Sequence, residues 1–483
     1  MKTVELLIGG KSVPSRTGAT FDRIDPVTGQ VASRAAAASP EDADAAVAAA
    51  QAAFPAWSAL PATERRTRLN AAADALSAMT ADFIETGVAE TGGTGHWFGF
   101  NAMLAASMLR EAASMTTQIG GDVLPSSVPG SQALAVRRPC GVVLGIAPWN
   151  APVILGARAI AMPLACGNTV VLKASEICPG VHRLIGDAMQ RAGLGDGVVN
   201  VITNAPADAP IIVERLIANP AVRRVNFTGS TAVGRKVAQL AARFLKPVLL
   251  ELGGKAPLLV LDDADLDAAA HAANFGAFAN QGQICMSTER IVVDRKVAAP
   301  FLDKLAGRAR TLHAGDPHKH DSVLGAMVSA EAAVRVQALI ADATEKGAQL
   351  VIGGQVEGSI MQPAILDNVT PAMRIYSEES FGPVVALIHA DGDEDAIRIA
   401  NDSPYGLSAA VFSRDSTRAL AVAARIDSGI CHVNGPTVHD EANMPFGGVK
   451  DSGYGRFGGT AAIAEFTDLR WITVQTGPRH YPF

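Results

Sequence analysis

The chain has 483 residues, 48% of them hydrophobic, and this length predicts two or three domains because single hydrophobic cores stop growing well below it. A formal net charge of −6 with only 18% charged residues excludes a broad basic surface for nucleic acid and favours small-molecule chemistry. No stretch approaches the roughly 20 uninterrupted apolar residues that a membrane span requires.

An Ala-rich helix and a β-hairpin are predicted in the first third of the chain. Ser39 stands where a helix N-cap accepts backbone hydrogen bonds, and Pro40 takes the first helical position, which tolerates proline. Further along, extended runs at residues 122–125 and 132–137 flank Pro129 and Gly130, a pair typical of turns. These runs predict a hairpin, and by composition alone its strands are ordinary edge strands.

Short β-rich runs alternate with amphipathic, Ala-rich stretches between about residues 141 and 254. The runs that predict strands are 142–146, 169–173, 198–202, 224–228 and 247–251. Nearly continuous apolar strands separated by helices are typical of a doubly wound parallel sheet, and nucleotides bind at the carboxyl ends of such strands. The fold class is therefore α/β with a Rossmann-like cofactor domain.

A second α/β region follows from about residue 252 to residue 445. It contains strand patterns at residues 291–293 and 384–388, and one more strand is predicted at residues 470–475. These patterns predict a second α/β domain beside the nucleotide-binding sheet.

The five cysteines are Cys140, Cys166, Cys178, Cys285 and Cys431. Their odd number and the lack of CxxC spacing argue against a disulfide framework, and the N-terminus lacks the apolar run of an export signal. A reducing, cytoplasmic location is expected. No metal site is expected, because the ten histidines are scattered and Cys431 with His432 has no partner pair at ligand spacing.

Cys285 and Glu251 form the strongest candidate for a reactive pair. A thiolate is the most competent nucleophile among ordinary side chains near neutral pH, and a carboxylate can accept the proton of the thiol or of a water. A single cysteine is more often a small buried hydrophobe, so the neighbouring glycines matter. Gly253, Gly254 and Gly282 are expected to let the backbone approach a bound ligand closely.

Seven segments resemble the motifs of the NAD(P)-dependent aldehyde dehydrogenases, in that family's order along the chain. They are residues 148–150, 173–176, 227–231, 251–255, 281–285, 378–383 and 445–456. The resemblance implies a cofactor-binding domain of residues 1–117 and 139–251 and a catalytic domain of residues 252–460. It also implies a small β oligomerisation element of residues 118–138 and 461–483, and a homodimer or a dimer of dimers.

The resemblance assigns the catalytic roles. Cys285 attacks the aldehyde, and Glu251 activates the water that hydrolyses the resulting thioester. The side-chain amide of Asn150 and the Cys285 backbone N–H form the oxyanion hole. The presence of Glu251 disfavours the CoA-acylating branch of the family, which lacks this base.

A set of cofactor-binding residues is also implied by the resemblance. They are Ile146, Pro148, Trp149, Lys173, Ser175, Glu176, Gly229, Ser230, Leu252, Glu379 and Phe381. A carboxylate at the adenosine ribose accepts hydrogen bonds from a 2′-OH and repels a 2′-phosphate, so Glu176 leads us to expect NAD rather than NADP. Without the resemblance, Lys173 and Glu176 form an ordinary surface pair. Residues 203–210 depart from the glycine-rich spacing common in the family.

The aldehyde pocket is expected to accept an aromatic ring. Relatives that oxidise small aliphatic aldehydes narrow the tunnel with aromatic side chains where this chain has Ala151, Arg158 and Ala279. With Trp97, these positions resemble the bacterial benzaldehyde, salicylaldehyde and vanillin dehydrogenase branch. Arg158 is expected to bond a ring hydroxyl or stack on the ring, and the alternative is a salt bridge inside the helix bundle. The expected substrate-binding residues are Trp97, Ala151, Arg158, Ile284, Met286 and Phe446.

Two other functions are alternatives. In a succinate-semialdehyde-type dehydrogenase, Arg158 would bind the distal carboxylate of the substrate. Many such enzymes keep a second cysteine near the nucleophile, whereas Ile284 and Met286 flank Cys285 here. A catalytically silent structural relative, as in lens crystallins, is disfavoured by the intact Cys285, Glu251 and Asn150.

Overall fold

The computed structural model describes residues 1–483 and contains fifteen α-helices. The helices are α1 (Pro40–Ser58), α2 (Ala62–Ala78), α3 (Thr80–Thr91), α4 (Gly95–Met115), α5 (Pro152–Ala165), α6 (Pro179–Arg191), α7 (Ala209–Ala218), α8 (Thr231–Arg243), α9 (Leu266–Phe278), α10 (Ala298–Ala309), α11 (Ala330–Glu345), α12 (Arg374–Ser377), α13 (Asp393–Asn401), α14 (Ser416–Ala423) and α15 (Ala461–Glu465). None of them combines the length and the hydrophobicity needed to cross a membrane.

The strands are β1 (Lys2–Val4), β2 (Leu6–Ile8), β3 (Lys11–Val13), β4 (Thr20–Ile24), β5 (Val31–Ala36), β6 (Gly121–Leu124), β7 (Ser131–Pro139), β8 (Val142–Ile146), β9 (Thr169–Lys173), β10 (Val199–Ile202), β11 (Val222–Thr228), β12 (Val248–Glu251), β13 (Ala256–Val260), β14 (Thr288–Asp294), β15 (Gln349–Ile352), β16 (Val356–Glu357), β17 (Ile360–Met361), β18 (Ala364–Asp367), β19 (Val384–Ala390), β20 (Tyr405–Gly406), β21 (Ser408–Phe412), β22 (Ile430–Val433), β23 (Val449–Lys450), β24 (Gly453–Tyr454) and β25 (Thr467–Gln475). They form two large sheets and four small ones.

The first large sheet confirms the predicted doubly wound architecture. Its order is β24-β12-β11-β8-β9-β10-β2-β3, and the five central strands, all predicted, run parallel. One face packs against α2 to α6 and the other against α1, α7 and α8, which is why the central strands are buried on both sides. Their carboxyl ends, including Ile146, Lys173, Thr228 and Glu251, lie along one edge of the sheet.

The second large sheet confirms the other α/β region. Its order is β15-β18-β19-β14-β13-β21-β22, and every neighbouring pair is parallel except β15 with β18. Helices α9 and α10 cover one face, and α11 to α14 cover the other. The segment between α9 and β14 carries Cys285 at the amino end of this sheet, facing the carboxyl edge of the first sheet.

Helix α1 begins where the sequence predicts. The Ser39 hydroxyl accepts a hydrogen bond from the Asp42 N–H at 3.2 Å, and the Asp42 carboxylate accepts one from the Ser39 N–H at 2.9 Å. Pro40 occupies the first helical position, where no N–H is needed. This reciprocal cap ends the preceding extended segment at a defined residue.

A separate three-stranded antiparallel sheet has the order β25-β7-β6. Strands β6 and β7 form the predicted hairpin, which turns at Gly130 with a φ of 73°. Trp471 on β25 is 75% exposed, whereas Ala462 and Ile463 of α15 lie in the core shared with α2 and α4. The division of the chain into domains, and the role of this sheet in assembly, stay predictions.

Candidate active site

Cys285 follows a turn with unusual backbone geometry. Asn280, Gln281 and Gly282 have φ values of 47°, 56° and 68°, in the left-handed region that non-glycine residues rarely adopt. A β-carbon on Gly282 would overlap the carbonyl oxygen of Gly382, so this position requires glycine. Such strain concentrates at functional sites, and the turn leaves the Cys285 N–H without an acceptor in the protein.

The glycines near Cys285 serve contacts within the protein. A β-carbon on Gly254 would overlap the Cys285 carbonyl oxygen, and one on Gly253 would lie 2.6 Å from the Glu379 carboxylate. Gly254 and Gly282 are required for packing within the protein, because each faces a protein carbonyl. Their close approach to a ligand stays a prediction. Gly254 brings the segment that carries Glu251 against Cys285, and Gly282 brings the turn before Cys285 against the 378–383 segment.

Asn150 is held by hydrogen bonds on both its side chain and its backbone. Its amide nitrogen donates to the Gln283 carbonyl at 3.0 Å, and its own carbonyl accepts from Trp97 Nε1 at 3.0 Å and from Asn280 Nδ2 at 2.9 Å. An amide nitrogen has two hydrogens, so one stays available to an oxygen placed beside Cys285.

Glu251, the last residue of β12, is 1% exposed. Neither carboxylate oxygen has a hydrogen-bond partner of normal geometry, although the Cys285 thiol is close enough to act on its pKa. Burial raises the pKa of Glu251 to about 7, and the positive charge of Arg158 opposes the rise. Burial, and then Glu251, raise the pKa of the Cys285 thiol well above its ordinary value. The thiol therefore keeps its proton until a base takes it, and a carboxyl that titrates near neutrality suits that task.

A buried ion pair positions the segment of residues 378–383. Lys255 Nζ lies 2.5 Å from Glu289 Oε2, and both side chains are at most 4% exposed. Glu289 also accepts hydrogen bonds from the Ser380 N–H at 2.8 Å, the Ser380 hydroxyl at 2.6 Å and the Phe381 N–H at 3.1 Å. These bonds hold Phe381 at a φ of 46°.

Glu379 and Phe381 consequently lie beside the reactive pair. Glu379 accepts a hydrogen bond from the Gly254 N–H at 2.8 Å, and burial, followed by the charge of Glu289, raises the pKa of Glu379 to about 8. The Phe381 ring packs edge-on against Trp149, with ring centres 5.7 Å apart. The segment thus faces the carboxyl edge of the first sheet.

Two cavities meet at Cys285 and Asn150. The larger, of about 650 Å³, is lined by all six predicted substrate-binding residues, and by Ala279. The smaller, of about 300 Å³, is lined by Glu251 and seven of the predicted cofactor-binding residues: Pro148, Trp149, Gly229, Ser230, Leu252, Glu379 and Phe381. The thiol therefore stands between a mostly apolar chamber and a chamber at the nucleotide-binding edge of the sheet.

The other four predicted cofactor-binding residues lie further along that edge. Ile146 and Lys173 are paired neighbours in β8 and β9, and Ser175 follows β9. Lys173 forms an ion pair with Glu176, whose Oε1 also accepts a hydrogen bond from Asn204 at 2.9 Å. Both of these bonds end on one oxygen of Glu176, and Lys173 is 4% exposed, so the pair is not an ordinary surface pair.

Arg158 differs from the expectation of a free cation in the tunnel. Its guanidinium forms an ion pair with Asp440, and the two side chains are 6% and 10% exposed. The guanidinium also lies over the Phe446 ring, 4.2 Å from its centre. The charge of Arg158 in the tunnel wall is therefore balanced by Asp440. A salt bridge was the alternative that the sequence left open for Arg158.

Three site residues escaped the sequence interpretation. Asn280 and Gln283 hold Asn150. Gln283 lies inside the 281–285 motif and Asn280 immediately precedes it, which was a usable signal. Asp440 is 282 positions from Arg158, and no spacing pattern connects them. Only the fold brings that pair together.

A nucleophilic thiol with a near-neutral carboxyl, placed at the carboxyl edge of a doubly wound sheet, defines a nucleotide-dependent enzyme that works through a covalent cysteine adduct. The chain belongs to the aldehyde dehydrogenase family, whose sequence model matches residues 13–472. The protein is therefore an oxidoreductase that acts on a small-molecule aldehyde and uses a nicotinamide cofactor.

Similar proteins cover the full chain. A vanillin dehydrogenase of Pseudomonas fluorescens is 69% identical over 482 residues, covering 100% of each chain. A benzaldehyde dehydrogenase (NAD⁺) of Pseudomonas putida is 38% identical over 468 residues, covering 96% of this chain and 95% of the relative. The crystal structure of a salicylaldehyde dehydrogenase from Pseudomonas putida G7 in complex with salicylaldehyde has a TM-score of 0.98 at 47% identity and covers 100% of both chains.

Proposed function

We propose that the protein oxidises an aromatic aldehyde of the vanillin, salicylaldehyde or benzaldehyde type to the carboxylic acid, with NAD as oxidant. The observation that carries the proposal is the 650 Å³ cavity that ends at Cys285 and is walled mainly by apolar side chains. Ala151 and Ala279 contribute small side chains to this cavity, which Trp97 and Phe446 also line, and such a mostly apolar chamber suits a flat ring. The names of the three similar proteins described above each specify an aldehyde of this type.

The reaction begins with the thiol. Glu251 takes the proton of Cys285, and the sulfur attacks the carbonyl carbon. Negative charge then develops on the aldehyde oxygen. The free hydrogen of Asn150 Nδ2 and the unpaired Cys285 N–H are the two donors that can meet it.

The second half of the reaction releases the acid. When bound, the nicotinamide cofactor supplies the acceptor for the hydride that leaves the carbon held by Cys285. The resulting thioester keeps its carbonyl oxygen at the same two donors. Glu251 first releases to solvent the proton that it took from Cys285, and it then removes a proton from the water that attacks the thioester. That proton passes to the departing Cys285 sulfur, so the carboxylic acid leaves a regenerated thiol.

The residues of the smaller cavity fit a dinucleotide. Ser230 caps the N-terminus of α8, which presents backbone N–H groups suited to phosphate, and Gly229 precedes it. Gly253 also lines this cavity, and a β-carbon at its position would lie 2.6 Å from the Glu379 carboxylate. For the adenosine ribose, Glu176 offers the carboxylate oxygen that neither Lys173 nor Asn204 uses, which supports NAD over NADP.

The semialdehyde alternative requires a free cation for a distal carboxylate. Arg158 is already neutralised by Asp440, so a second carboxylate would compete with that pair. This geometry weighs against succinic semialdehyde as the substrate.

The deciding experiment is a panel of kcat/KM values measured by NADH absorbance. Benzaldehyde, vanillin and salicylaldehyde are expected to exceed acetaldehyde and succinic semialdehyde. If either of the last two is the best substrate, the aromatic assignment is wrong.

We also propose that the sheet formed by β6, β7 and β25 joins subunits into a homodimer or a dimer of dimers, and that the protein is cytoplasmic. Leu469 and Trp471 lie on one face of this sheet and Val123 on the other, and all three are exposed. Exposed apolar side chains on both faces support the first point, because exposed apolar surface marks interfaces. Light scattering of the wild type and of Trp471→Glu tests it, with a smaller species expected for the variant.

A further inference from the structure

Asn204 lies at the carboxyl edge of the first sheet, in the turn that follows β10. Ile202 of β10 pairs with Lys173 of β9, so the turns after the two strands leave the sheet at the same place. The turn after β9 carries Glu176, and the Asn204 amide nitrogen donates to Glu176 Oε1 at 2.9 Å. Asn204 is fully buried, whereas Glu176 is partly exposed. A buried amide therefore holds a carboxylate that reaches solvent.

The orientation of the Asn204 amide is fixed by two acceptors. Its Nδ2 also donates to the Ala205 carbonyl at 2.9 Å, so both amide hydrogens are used. Turning the amide over would place its oxygen against a carboxylate and a carbonyl, which can only accept. In the observed orientation Oδ1 is buried without a donor, which is costly. Presenting Nδ2 to Glu176 therefore leaves another polar atom of Asn204 unsatisfied.

The turn that carries Asn204 is anchored to the end of β5 and the residues after it. The Thr203 carbonyl accepts a hydrogen bond from the Ala38 N–H at 2.9 Å, and the Thr203 hydroxyl donates to the Ala36 carbonyl at 2.5 Å. The other donor to Glu176 is the lysine of the ion pair, whose four-carbon stem is flexible. Asn204 is thus the more rigid of the two donors.

Both donors end on the same oxygen of Glu176. Lys173 and Asn204 use Oε1, whereas Oε2 makes no hydrogen bond within the protein and the side chain keeps 20% exposure. A free carboxylate oxygen can accept a hydrogen bond from a ribose hydroxyl, and it repels a phosphate. Without Asn204, the carboxylate could turn both oxygens to Lys173 or swing away from it. A swing would also uncover the Lys173 ammonium, which attracts phosphate.

We propose that Asn204 sets the selectivity of the cofactor site for a ribose with a free 2′-hydroxyl, by holding Glu176 Oε1 so that Oε2 remains available to that hydroxyl. The proposal rests on the proposed function, which places the adenosine ribose at Glu176. Asn204 lies outside the implied set of cofactor-binding residues, and it is a positioning residue because it acts through Glu176. It belongs to residues 203–210, which depart from the glycine-rich spacing common in the family, and a glycine has no side chain to donate.

The experiment measures the dissociation constants of three adenosine ligands by titration calorimetry. ADP carries the 2′-hydroxyl, 2′-phospho-ADP carries a phosphate on that oxygen, and 2′-deoxy-ADP lacks the oxygen. None of them contains nicotinamide, so binding is measured without the reaction at Cys285. The wild type should bind ADP more tightly than either analogue, because the deoxy sugar leaves Glu176 Oε2 unpaired and the phosphate is repelled by it.

Asn204→Leu keeps a similar volume and removes both donors. It should narrow the preference for ADP over each analogue by about three- to tenfold, because Glu176 is then held by Lys173 alone. Thr203→Val is the matched control, since it removes a buried hydrogen bond from the same turn and leaves the Asn204 amide in place. Both preferences should be retained in this control. If Asn204→Leu folds poorly, Asn204→Ala, which cannot overfill the site, should show the same narrowing.

A purely structural role predicts that the Asn204 variants weaken the binding of all three ligands equally. Equal weakening, unchanged preferences in Asn204→Leu and Asn204→Ala, or the same narrowing in Thr203→Val would each overturn this inference alone. The NAD assignment in the proposed function is tested by the wild type. If the wild type does not prefer ADP to 2′-phospho-ADP, that assignment fails, and this inference fails with it.

Discussion

Glu251 and Glu289 are two buried carboxyl groups on facing sheets, and they have opposite surroundings. Glu289 is paired with Lys255 and accepts hydrogen bonds from Ser380 and Phe381. Glu251 has no hydrogen-bond partner of normal geometry and faces the Cys285 thiol. Both are at most 4% exposed, so burial alone does not distinguish them.

The difference lies in what each carboxyl group leaves unsatisfied. A saturated carboxylate fixes the backbone around it, and Glu289 thereby holds Phe381 in a left-handed conformation beside Glu379. An unsatisfied one is costly to bury as a charge, and that cost brings the pKa of Glu251 to about 7. Within this one site, Glu289 therefore has a structural role and Glu251 has the properties of a base.

The largest effect is expected from replacing Glu251, the carboxyl group with the chemical role. Glu251→Gln should lower steady-state turnover by about 10²–10⁴-fold, because no base activates the hydrolytic water. In this variant Cys285 loses its proton to water, more slowly than to Glu251, so the first hydride transfer should be slowed but not abolished. Enzyme should accumulate as a thioester, seen as a mass increase after a slowed pre-steady-state burst of NADH. Cys285→Ser is the control that removes the burst. Unchanged turnover in Glu251→Gln would refute the assignment of the base.

Replacing Glu289, the carboxyl group with the structural role, should instead lower the free energy of unfolding. Glu289→Gln leaves Lys255 buried without its counterion, a loss of about 3–5 kcal/mol in the free energy of unfolding. Urea unfolding measures it, and the double variant Lys255→Met with Glu289→Leu should recover part of the loss. Equal stability of Glu289→Gln and wild type would show that the pair does not anchor the 378–383 segment.

The pH dependence of the free energy of unfolding tests the raised pKa that distinguishes Glu251. The carboxyl of Glu251 titrates at about 7 in the folded protein against an ordinary value of 4.5, so its contribution is fully present below 4.5 and is lost as pH rises through 7. Wild-type stability relative to Glu251→Gln should therefore fall between these values by on the order of 3 kcal/mol. Unfolding of both proteins at pH 5 and pH 8 gives the difference. A constant difference would mean that Glu251 titrates normally.

The smallest effect is expected at a third carboxylate, that of Glu176, in which only one of the two oxygens has hydrogen-bond partners. Glu176 uses one oxygen for Lys173 and Asn204, and the wild type should prefer NAD to NADP in kcat/KM. Glu176→Gln should narrow that preference by about tenfold, because it removes the repulsion of a 2′-phosphate. NADP that is equal to or better than NAD in the wild type would contradict the placement of Glu176.

The strands of the doubly wound sheet, the two α/β regions and the motif positions of Cys285, Glu251 and Asn150 were predictable from the sequence. Apolar runs separated by amphipathic stretches are local patterns, and they are sufficient to predict β8, β9 and β11 as strands of one parallel sheet. The pairing of β11 with β8 and β12 depends on the fold. The hairpin at Gly130 was predictable for the same reason, because turn chemistry depends on adjacent residues.

Only the tertiary structure decided which charged side chains of the site are paired and which are unpaired. The sequence by itself showed Arg158 as a cation in the tunnel, but Asp440, supplied by a loop after β22, neutralises it. It showed glycines around the thiol, but only packing revealed that Gly254 and Gly282 admit protein carbonyls. Hydrophobic residues that repeat every 2 residues in a strand, or every 3.6 in a helix, indicate which face of that element is buried. An ion pair between residues 282 positions apart depends instead on how whole elements pack together, and no local sequence pattern indicates that.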